Sequence, residues 1–361
     1  DNYSWPYIFY INIPLGIIAT ILALTFVKSP KYGEKLKSNQ VDWLGIFLLM
    51  AFIGSLQYVL EHGQQDDWFN NKTIIILSTI TVFGLVLFIW RELTYKRPVV
   101  NLGVLKDGNL RIGTVMCFIL GFGLYGSTLI IPIYTQTILG WTATDAGLLL
   151  IPGSITTAFM MPIVGKLLQR GVPQSYMVGL GFLIFFFFTY MMHNNMTPST
   201  GVEHLYWGLI LRGIGLGLLF VPITTLSLST LKGKDIGEGA AFTGMMRQLG
   251  GSFGIATITT FITRFNQEHR VNLVSHLDTT RLEVQQRVLT LQKGFMSKGF
   301  TANESLNKAY QVIDYSVMKQ SAVLSYMDIF LYLGIMFLCC IPIIFLIKKG
   351  KNTINPADAM H

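Results

Sequence analysis

Charged residues are scarce in this 361-residue chain: Asp, Glu, Lys and Arg make up 13% of it, whereas 51% of the residues are hydrophobic. A soluble domain carries about 25% charged residues. The mean hydropathy is +0.50, and the charges lie between long apolar runs. Because each helical crossing of a bilayer needs about 20 apolar residues, the shortage of charge excludes an ordinary water-soluble protein and predicts an all-α, polytopic membrane protein.

Nine apolar stretches are long enough to be membrane spans. Prolines occur inside several of them, which membrane helices permit because neighbouring helices satisfy the freed carbonyl groups. The nine predicted spans are Ile8–Val27, Asp42–Glu61, Thr73–Trp90, Ile112–Tyr134, Ala146–Leu168, Tyr176–His193, Leu205–Leu226, Ala240–Ile262 and Ile329–Ile347.

The net charge is +8, but the distribution of the basic residues does not indicate binding of nucleic acid. They concentrate in every second connection between spans, for example at Lys35, Arg91, Lys106, Arg170 and Lys232. This is the positive-inside pattern of proteins whose partner is the lipid bilayer. It predicts that residue 1 lies outside and that the C-terminus is cytoplasmic.

Cysteine and histidine are also few, with three and six residues. Cys117, Cys339 and Cys340 all lie in predicted spans, where we expect them to pack as small apolar residues without disulfides. No spacing of histidines, cysteines or carboxylates suits a metal site, and no metalloprotease motif or nucleophile elbow occurs. We therefore expect no enzyme, no metal and no cofactor.

Acidic residues are missing from the interior of every predicted span. Asp42, Glu61, Asp145, Glu203 and Asp328 all stand at span ends. A proton-coupled transporter needs a titratable carboxylate in a dry environment, where desolvation raises its pKa. We expect this chain to contain no such group.

Two arginines, by contrast, lie well inside spans: Arg212 in "LILRGIGLG" and Arg247 in "GMMRQLGGSFG". An arginine inside a bilayer costs at least about 2.5–3.5 kcal/mol, so we expect each to face an interior cavity or a polar network. The alternative is that each side chain snorkels to the nearer membrane interface.

Glycines at helical spacing accompany both arginines. They lack the preceding strand that a nucleotide-binding fingerprint requires. Small residues at this spacing let helices approach closely in lipid, so we predict helix packing. The glycines are Gly213, Gly215, Gly217, Gly250, Gly251 and Gly254.

One connection, 264–325, is much longer than the others and lies outside the membrane by the charge pattern. Apolar residues recur at helical spacing in 272–295, and the pattern repeats in 303–320. We expect a helical hairpin that either binds a partner protein or covers the protein's own outer mouth or the lipid surface. The residues that define the first helix are Leu273, Leu277, Val284, Val288 and Leu291.

The opening "SWPYIFYINIPLG" resembles the stretch that begins the sixth helix of the EmrB/QacA-type, 14-helix drug:proton antiporters of the major facilitator superfamily. The similarity continues in order through "GSLQYVLEHGQQDDWF", "GWTATDAGLLLIPGSI", "RGIGLGLLFVPITTLSLS" and "MMRQLGGSFGIA". The resemblance implies helices six to fourteen, nine in number, of an incomplete major facilitator fold. The family's acidic coupling residues lie in the first five helices, which would precede this chain.

The resemblance also implies a domain division. Residues 1–27 would be the last helix of the N-terminal bundle, and 28–110 two inserted transmembrane helices with cytoplasmic loops. Residues 111–347 would be the C-terminal six-helix bundle, which includes the long extracytoplasmic loop 264–325, and 348–361 a cytoplasmic tail.

The implied function is multidrug efflux, in which a small hydrophobic or amphipathic drug leaves in exchange for a proton. The drug would enter a cavity between two bundles, which rock around it. The candidate residues of the cavity or of its polar network are Arg212, Arg247, Tyr125, Phe118, Gln136 and Phe220.

A cytoplasmic gating motif of the family resembles "GKLLQRGVP", in which Gly165, Arg170 and Gly171 match. Gln169 stands where the motif has Asp, which removes a charge partner from the gate. Pro6 likewise replaces the usual Arg of the opening motif.

Pumps of this family in the inner membrane of Gram-negative bacteria imply a periplasmic adaptor and an outer-membrane channel, docked on 264–325. Two alternatives stay open: a transporter of a physiological solute such as a siderophore or fatty acid, and a non-transporting remnant or membrane scaffold. Because one bundle cannot form an alternating-access cavity, we expect this polypeptide alone not to transport.

Overall fold

The computed structural model describes residues 7–26, 41–95, 98–278 and 280–346, and within these ranges every regular element is helical. The first basic loop, the N-terminal six residues and the C-terminal tail lie outside the described residues. The helices are α1 (Tyr7–Tyr10), α2 (Asn12–Phe26), α3 (Trp43–His62), α4 (Lys72–Thr94), α5 (Gly108–Thr137), α6 (Ala143–Gln169), α7 (Gln174–Asn195), α8 (Val202–Leu228), α9 (Lys234–Ser275), α10 (Leu282–Met296) and α11 (Ala302–Cys340), with short 3-10 turns at Trp68–Asn70, Leu102–Lys106 and Ile341–Leu346.

Seven helices of the described part are long and apolar enough to cross a membrane. They are α3 to α8 and α11 with the turn after it. Helix α2 is apolar but has only 15 residues, and α9, at 42 residues, carries too many polar residues to qualify. The all-α, polytopic architecture is confirmed, whereas the number nine stays a prediction.

The main apolar core joins α5, α7, α8 and α11. Besides Tyr134 of α5, its largest members are phenylalanines of α7 and α11, among which Phe185 and Phe337 stack with ring centroids 4.1 Å apart. Phe188 and Phe330 meet edge to face at 5.7 Å. Aromatic pairs of this geometry contribute about 0.5–1.5 kcal/mol each beyond their buried area. The core therefore fixes α7 and α11 against the helices that carry the two arginines.

The long outer connection is not a loop. Helix α9 continues as far as Ser275, and α11 begins at Ala302, so that both helices extend beyond the predicted spans. Thr301 and Glu304 form a reciprocal capping box at the start of α11, where the Thr301 hydroxyl and N–H hold the pKa of Glu304 below its usual range. Such a box satisfies two otherwise unpaired N–H groups of the first turn.

The expected hairpin exists, but its first helix was placed incorrectly. The apolar positions from Leu273 to Leu291 do not belong to one helix, because α9 ends at Ser275 and α10 begins at Leu282. Leu273 ends α9, whereas Val284, Val288 and Leu291 lie in α10. Helix α10 then packs against the outer part of α11, which carries the second predicted segment.

Polar pairs join the outer parts of α9 and α11. His269 Nε2 lies 2.7 Å from Asp328 Oδ2, and Arg270 Nη2 lies 2.9 Å from Asp314 Oδ1. We call the outer parts of α9 and α11, together with α10, the outer hairpin (residues 264–325).

Candidate functional site

Arg212, in the middle of α8, is 5% exposed and turns toward α5. Its Nε atom donates to Ser127 Oγ over 2.8 Å. A terminal nitrogen donates to the Thr128 hydroxyl and, over 3.3 Å, to the Leu124 carbonyl oxygen. The Ser127 hydroxyl in turn donates to the Gly123 carbonyl over 2.6 Å, which leaves its lone pairs for the guanidinium.

All of these acceptors are neutral. Elsewhere among the described residues, Arg91 pairs with Asp42 and Arg270 with Asp314, whereas Arg212 has no carboxylate partner there. A guanidinium stays protonated in proteins, so Arg212 is a buried positive charge held by dipoles alone. Burial of this kind is costly, and ionisable residues inside membrane bundles commonly mark a substrate or ion pathway.

Arg247, on α9, faces the same pair of helices from the other side. Its Cζ atom lies 4.6 Å from the centroid of the Phe220 ring on α8. Next to it, the Tyr125 hydroxyl of α5 donates to Gln248 Oε1 over 3.1 Å. We call this set the α5–α8–α9 site, made of Tyr125, Ser127, Thr128, Arg212, Phe220, Arg247 and Gln248.

Close approach of α9 to α5 brings these side chains together. A Cβ atom on Gly250 would collide with the carbonyl of Phe118, and one on Gly251 would collide with the ring of Tyr125. On Gly254 it would lie 2.8 Å from the carbonyl oxygen of Phe122. Phe118 itself packs on Phe253, with ring centroids 5.6 Å apart.

The three glycines that follow Arg212 lie at crossings of α8 with its other neighbours. Gly213 and Gly217 face α6, at the Gly153 carbonyl and the Met160 side chain. A Cβ atom on Gly215 would lie 3.1 Å from the amide nitrogen of Phe185 in α7. Small residues at such crossings are typical of membrane bundles.

Four predicted residues lie elsewhere. Gln136 is exposed near the end of α5, eight residues and thus about 12 Å beyond Thr128. Gly165 and Arg170 stand at the end of α6, and Arg170 forms no ion pair with a described residue. Gly171 has φ +84° and donates its N–H to the Leu168 carbonyl over 3.0 Å, as in a helix C-cap that favours glycine.

The expectation of no carboxylate in a dry environment is wrong. Asp42 is 4% exposed and accepts from Arg91 Nε and Nη2 over 3.1 Å each, while Glu92 is 5% exposed. The Val100 N–H donates to Glu92 Oε2 over 3.1 Å, and the buried Oε1 has no hydrogen-bond partner among the described residues. The sequence contained one signal for this burial. Because α3 and α4 form an antiparallel pair, Asp42 at the start of α3 and Glu92 near the end of α4 lie at the same end of the pair.

Histidines, cysteines and carboxylates are the candidate metal ligands among the described residues. No group of three or more metal-ligating side chains occurs among them. Cys117, Cys339 and Cys340 are free in the structure.

Comparison with protein families assigns the chain. The family model described as Major Facilitator Superfamily matches residues 1–255. The chain belongs to this superfamily. Its matches with multidrug-type relatives place it in the EmrB-type branch, as the sequence motifs imply. The superfamily consists of transporters rather than enzymes.

Three curated relatives illustrate the similarity. The fatty acid resistance protein FarB of Neisseria gonorrhoeae is 30% identical over 348 residues, which cover 96% of this chain and 66% of FarB. The multidrug export protein EmrB of Escherichia coli K12 is 30% identical over 279 residues, covering 77% and 54%. The probable multidrug resistance protein EmrY of the same strain is 28% identical over 342 residues, covering 94% and 64%. The chain thus spans between half and two thirds of the length of these relatives.

Proposed function

We propose that this chain forms the C-terminal part of an efflux transporter that exports hydrophobic or amphipathic compounds in exchange for protons. The observation that carries the proposal is Arg212, buried between α5 and α8 with neutral partners only. Family membership supplies the transport context, because relatives are named as multidrug exporters.

In this proposal, α5, α8 and α9 line the substrate cavity of the C-terminal bundle. Phe220 and Tyr125 offer apolar and aromatic contact, and Arg212 and Arg247 supply fixed charge. The relatives are longer than this chain, and their greater length leaves room for five more helices. Such helices would complete the cavity and carry the coupling carboxylate. Helices α3 and α4 would be the inserted pair. Rocking of the two bundles would expose the cavity to each side in turn.

The proposed orientation has α3, α5, α7 and α9 beginning at the cytoplasmic side of a bacterial inner membrane. The connections at that side carry Lys106, Arg170 and Lys232, whereas the connections 63–71, 138–142 and 196–201 at the other side carry no basic residue. This agrees with the positive-inside rule. The loop with Gly165, Arg170 and Gly171 would then face the cytoplasm, where it could act in gating.

The outer hairpin would lie in the periplasm, where it could dock an adaptor protein and through it an outer-membrane channel. It exposes Leu282, Tyr310 and Tyr315. Replacing Leu282 by Glu should abolish co-purification of such an adaptor, but the variant should still insert into the membrane. Unchanged co-purification and unchanged export by the Leu282→Glu variant would contradict the docking role.

A fatty acid is the second candidate substrate. A buried guanidinium suits a carboxylate group, and the relative FarB is named for fatty acid resistance. Export of a long-chain fatty acid in preference to neutral drugs would favour this candidate.

The test is expression of the full open reading frame to which this chain belongs, and not of this chain alone, in a bacterium stripped of its own efflux pumps. We expect raised resistance to hydrophobic drugs, which a protonophore abolishes. Resistance that survives the protonophore would contradict proton antiport. No change in resistance to any drug or fatty acid, with protein present in the membrane, would favour the non-transporting alternative.

A further inference from the structure

A cavity of about 600 Å³ lies between α3, α9 and the segment that joins α4 to α5. Most of its wall is apolar, with Leu49 and Ile53 from α3, Val99 from the joining segment, and Phe242 and Met245 from α9. Cavities that hold drug-sized ligands measure about 300–1,000 Å³. No residue of the α5–α8–α9 site lines this space, which we call the α3–α9 cavity.

One carboxylate belongs to the apolar wall. Glu238 lines the cavity, and its Oε2 atom is shielded from solvent. Phe242 and Met245 follow at steps of four and three residues, so all three side chains lie on one face of α9. A carboxylate beside an aromatic ring attracts a cation, because the face of the ring also carries negative charge. The soft Met245 side chain adapts to irregular apolar groups.

The wall opposite α9 is held by buried polar contacts. The Val100 N–H is fixed on Glu92, and the pair of Asp42 with Arg91 joins the ends of α3 and α4. Further along, Ser55 Oγ lies 2.8 Å from Thr81 Oγ1. These contacts preform the cavity, which lowers the ordering cost of binding.

The position of the cavity suits a molecule that arrives from the membrane. Glu238 lies four residues after the start of α9 and Ile53 ten residues after the start of α3, so the cavity extends from about 6 to about 15 Å along these helices. In the proposed orientation this is the depth of the inner leaflet. An amphipathic solute there keeps its polar group near the interface and its apolar body deeper.

We propose that the α3–α9 cavity binds an amphipathic organic cation, with the positive group at Glu238 and Phe242 and the apolar body against Leu49, Ile53 and Met245. Binding at this site is independent of the α5–α8–α9 site. Its use as a station for substrate on the way to export rests on the proposed function.

The test measures binding rather than export. Tritiated tetraphenylphosphonium is titrated onto the purified product of the full reading frame in lipid nanodiscs, with tetraphenylborate as the analogue of opposite charge. Glu238→Gln should weaken phosphonium binding by about tenfold, as expected for loss of one desolvated charge pair, and should not weaken borate binding. The matched control is Asp235→Asn, which removes the same charge from the same helix outside the cavity and should leave binding unchanged.

A second variant tests the location. Ala241 lines the cavity, and Ala241→Trp should fill it and abolish phosphonium binding. Wild-type affinity in both Glu238→Gln and Ala241→Trp would overturn the proposal. Where the tryptophan variant does not fold, the nearly isosteric Glu238→Gln decides alone. If phosphonium binding requires Glu238 but the reading frame exports nothing, the binding site stands and the proposed function is refuted. If the reading frame exports drugs but phosphonium binding does not depend on Glu238, the proposed function stands and the binding site is refuted.

Discussion

The two halves of α9 hold their neighbours in different ways. In the first half, Gly250, Gly251 and Gly254 let the backbone of α9 touch α5. In the second half, His269 Nε2 lies 2.7 Å from Asp328 Oδ2 of α11, and Arg270 forms an ion pair with Asp314 of the same helix. The same helix therefore contacts its neighbours through its backbone at glycines in the first half and through long polar side chains in the second half.

In the proposed orientation, the first half of α9 lies in the membrane and the second half outside it, and the difference follows from these surroundings. Between helices in lipid there is no hydrophobic driving force, so close van der Waals packing and buried hydrogen bonds stabilise the bundle. Outside the membrane, water and salt screen exposed charges, and each exposed pair contributes little. Interior substitutions should therefore have large effects, and outer ones small effects.

Replacing Arg212 by Met should produce the largest functional loss. Each hydrogen bond to a charged group is worth about 1.5–3 kcal/mol, so export should fall by about 10- to 100-fold or more. The melting temperature should stay the same or rise, because an apolar side chain of similar length removes a buried charge that no carboxylate of the described residues compensates. Drug susceptibility and thermal melting in detergent measure the two effects.

Two variants control this result. Arg111, exposed in the first turn of α5, can be changed to Met with no expected loss of export. Arg212→Lys keeps the charge but loses the planar fork, and should recover only part of the activity. Normal export by the Arg212→Met variant would contradict a role of Arg212 in transport.

Gly250→Ala should destabilise the bundle by about 1–3 kcal/mol, because the added Cβ meets the Phe118 carbonyl and backbone cannot yield as a side chain can. The matched control on the same helix is Gly244→Ala. A Cβ on Gly244 has open space, so this variant should gain up to about 1 kcal/mol from helix propensity. Denaturation in mixed micelles compares the two. Equal stabilities would contradict close packing of α5 on α9.

Asp42→Asn should lower the free energy of unfolding by about 2 kcal/mol, since it leaves Arg91 with a neutral partner. The effect is smaller than for a fully buried pair because the Arg91 side chain is 25% exposed. Adding Arg91→Met should recover part of the loss, which a double-mutant cycle measures. Asp67→Asn, exposed at the other end of the helix pair, should have no comparable effect.

The sequence predicted the fold class and the middle spans because long apolar runs decide them. Seven of the nine predicted spans coincide with helices that qualify as membrane-crossing. The ends of α9 and α11 were misjudged, because hydropathy detects where a helix leaves lipid and not where it stops. Only the helical periodicity of 272–295 and 303–320 indicated structure there, and it did not reveal that one helix ends at Ser275 and the next begins at Leu282.

Side-chain partners were mostly beyond prediction. Arg212 and Ser127 lie 85 positions apart, and only the packing of α8 on α5 brings them together. The same holds for Asp42 and Arg91, which look like ordinary span-end charges until the helix pair closes around them. Glu92 was passed over because burial of a carboxylate depends on the segment at Val100 that folds back on it.

The outer pair of Arg270 with Asp314 should be the least important contact. Both side chains are more than half exposed, so Asp314→Asn should change the free energy of unfolding by less than about 0.5 kcal/mol, and the change should shrink further in high salt. A double-mutant cycle with Arg270→Met isolates the coupling between the two side chains. A coupling as large as that of Asp42 with Arg91 would mean that charge pairs stabilise the outer half of α9 as firmly as packing stabilises its first half, and the contrast between the two halves would fail.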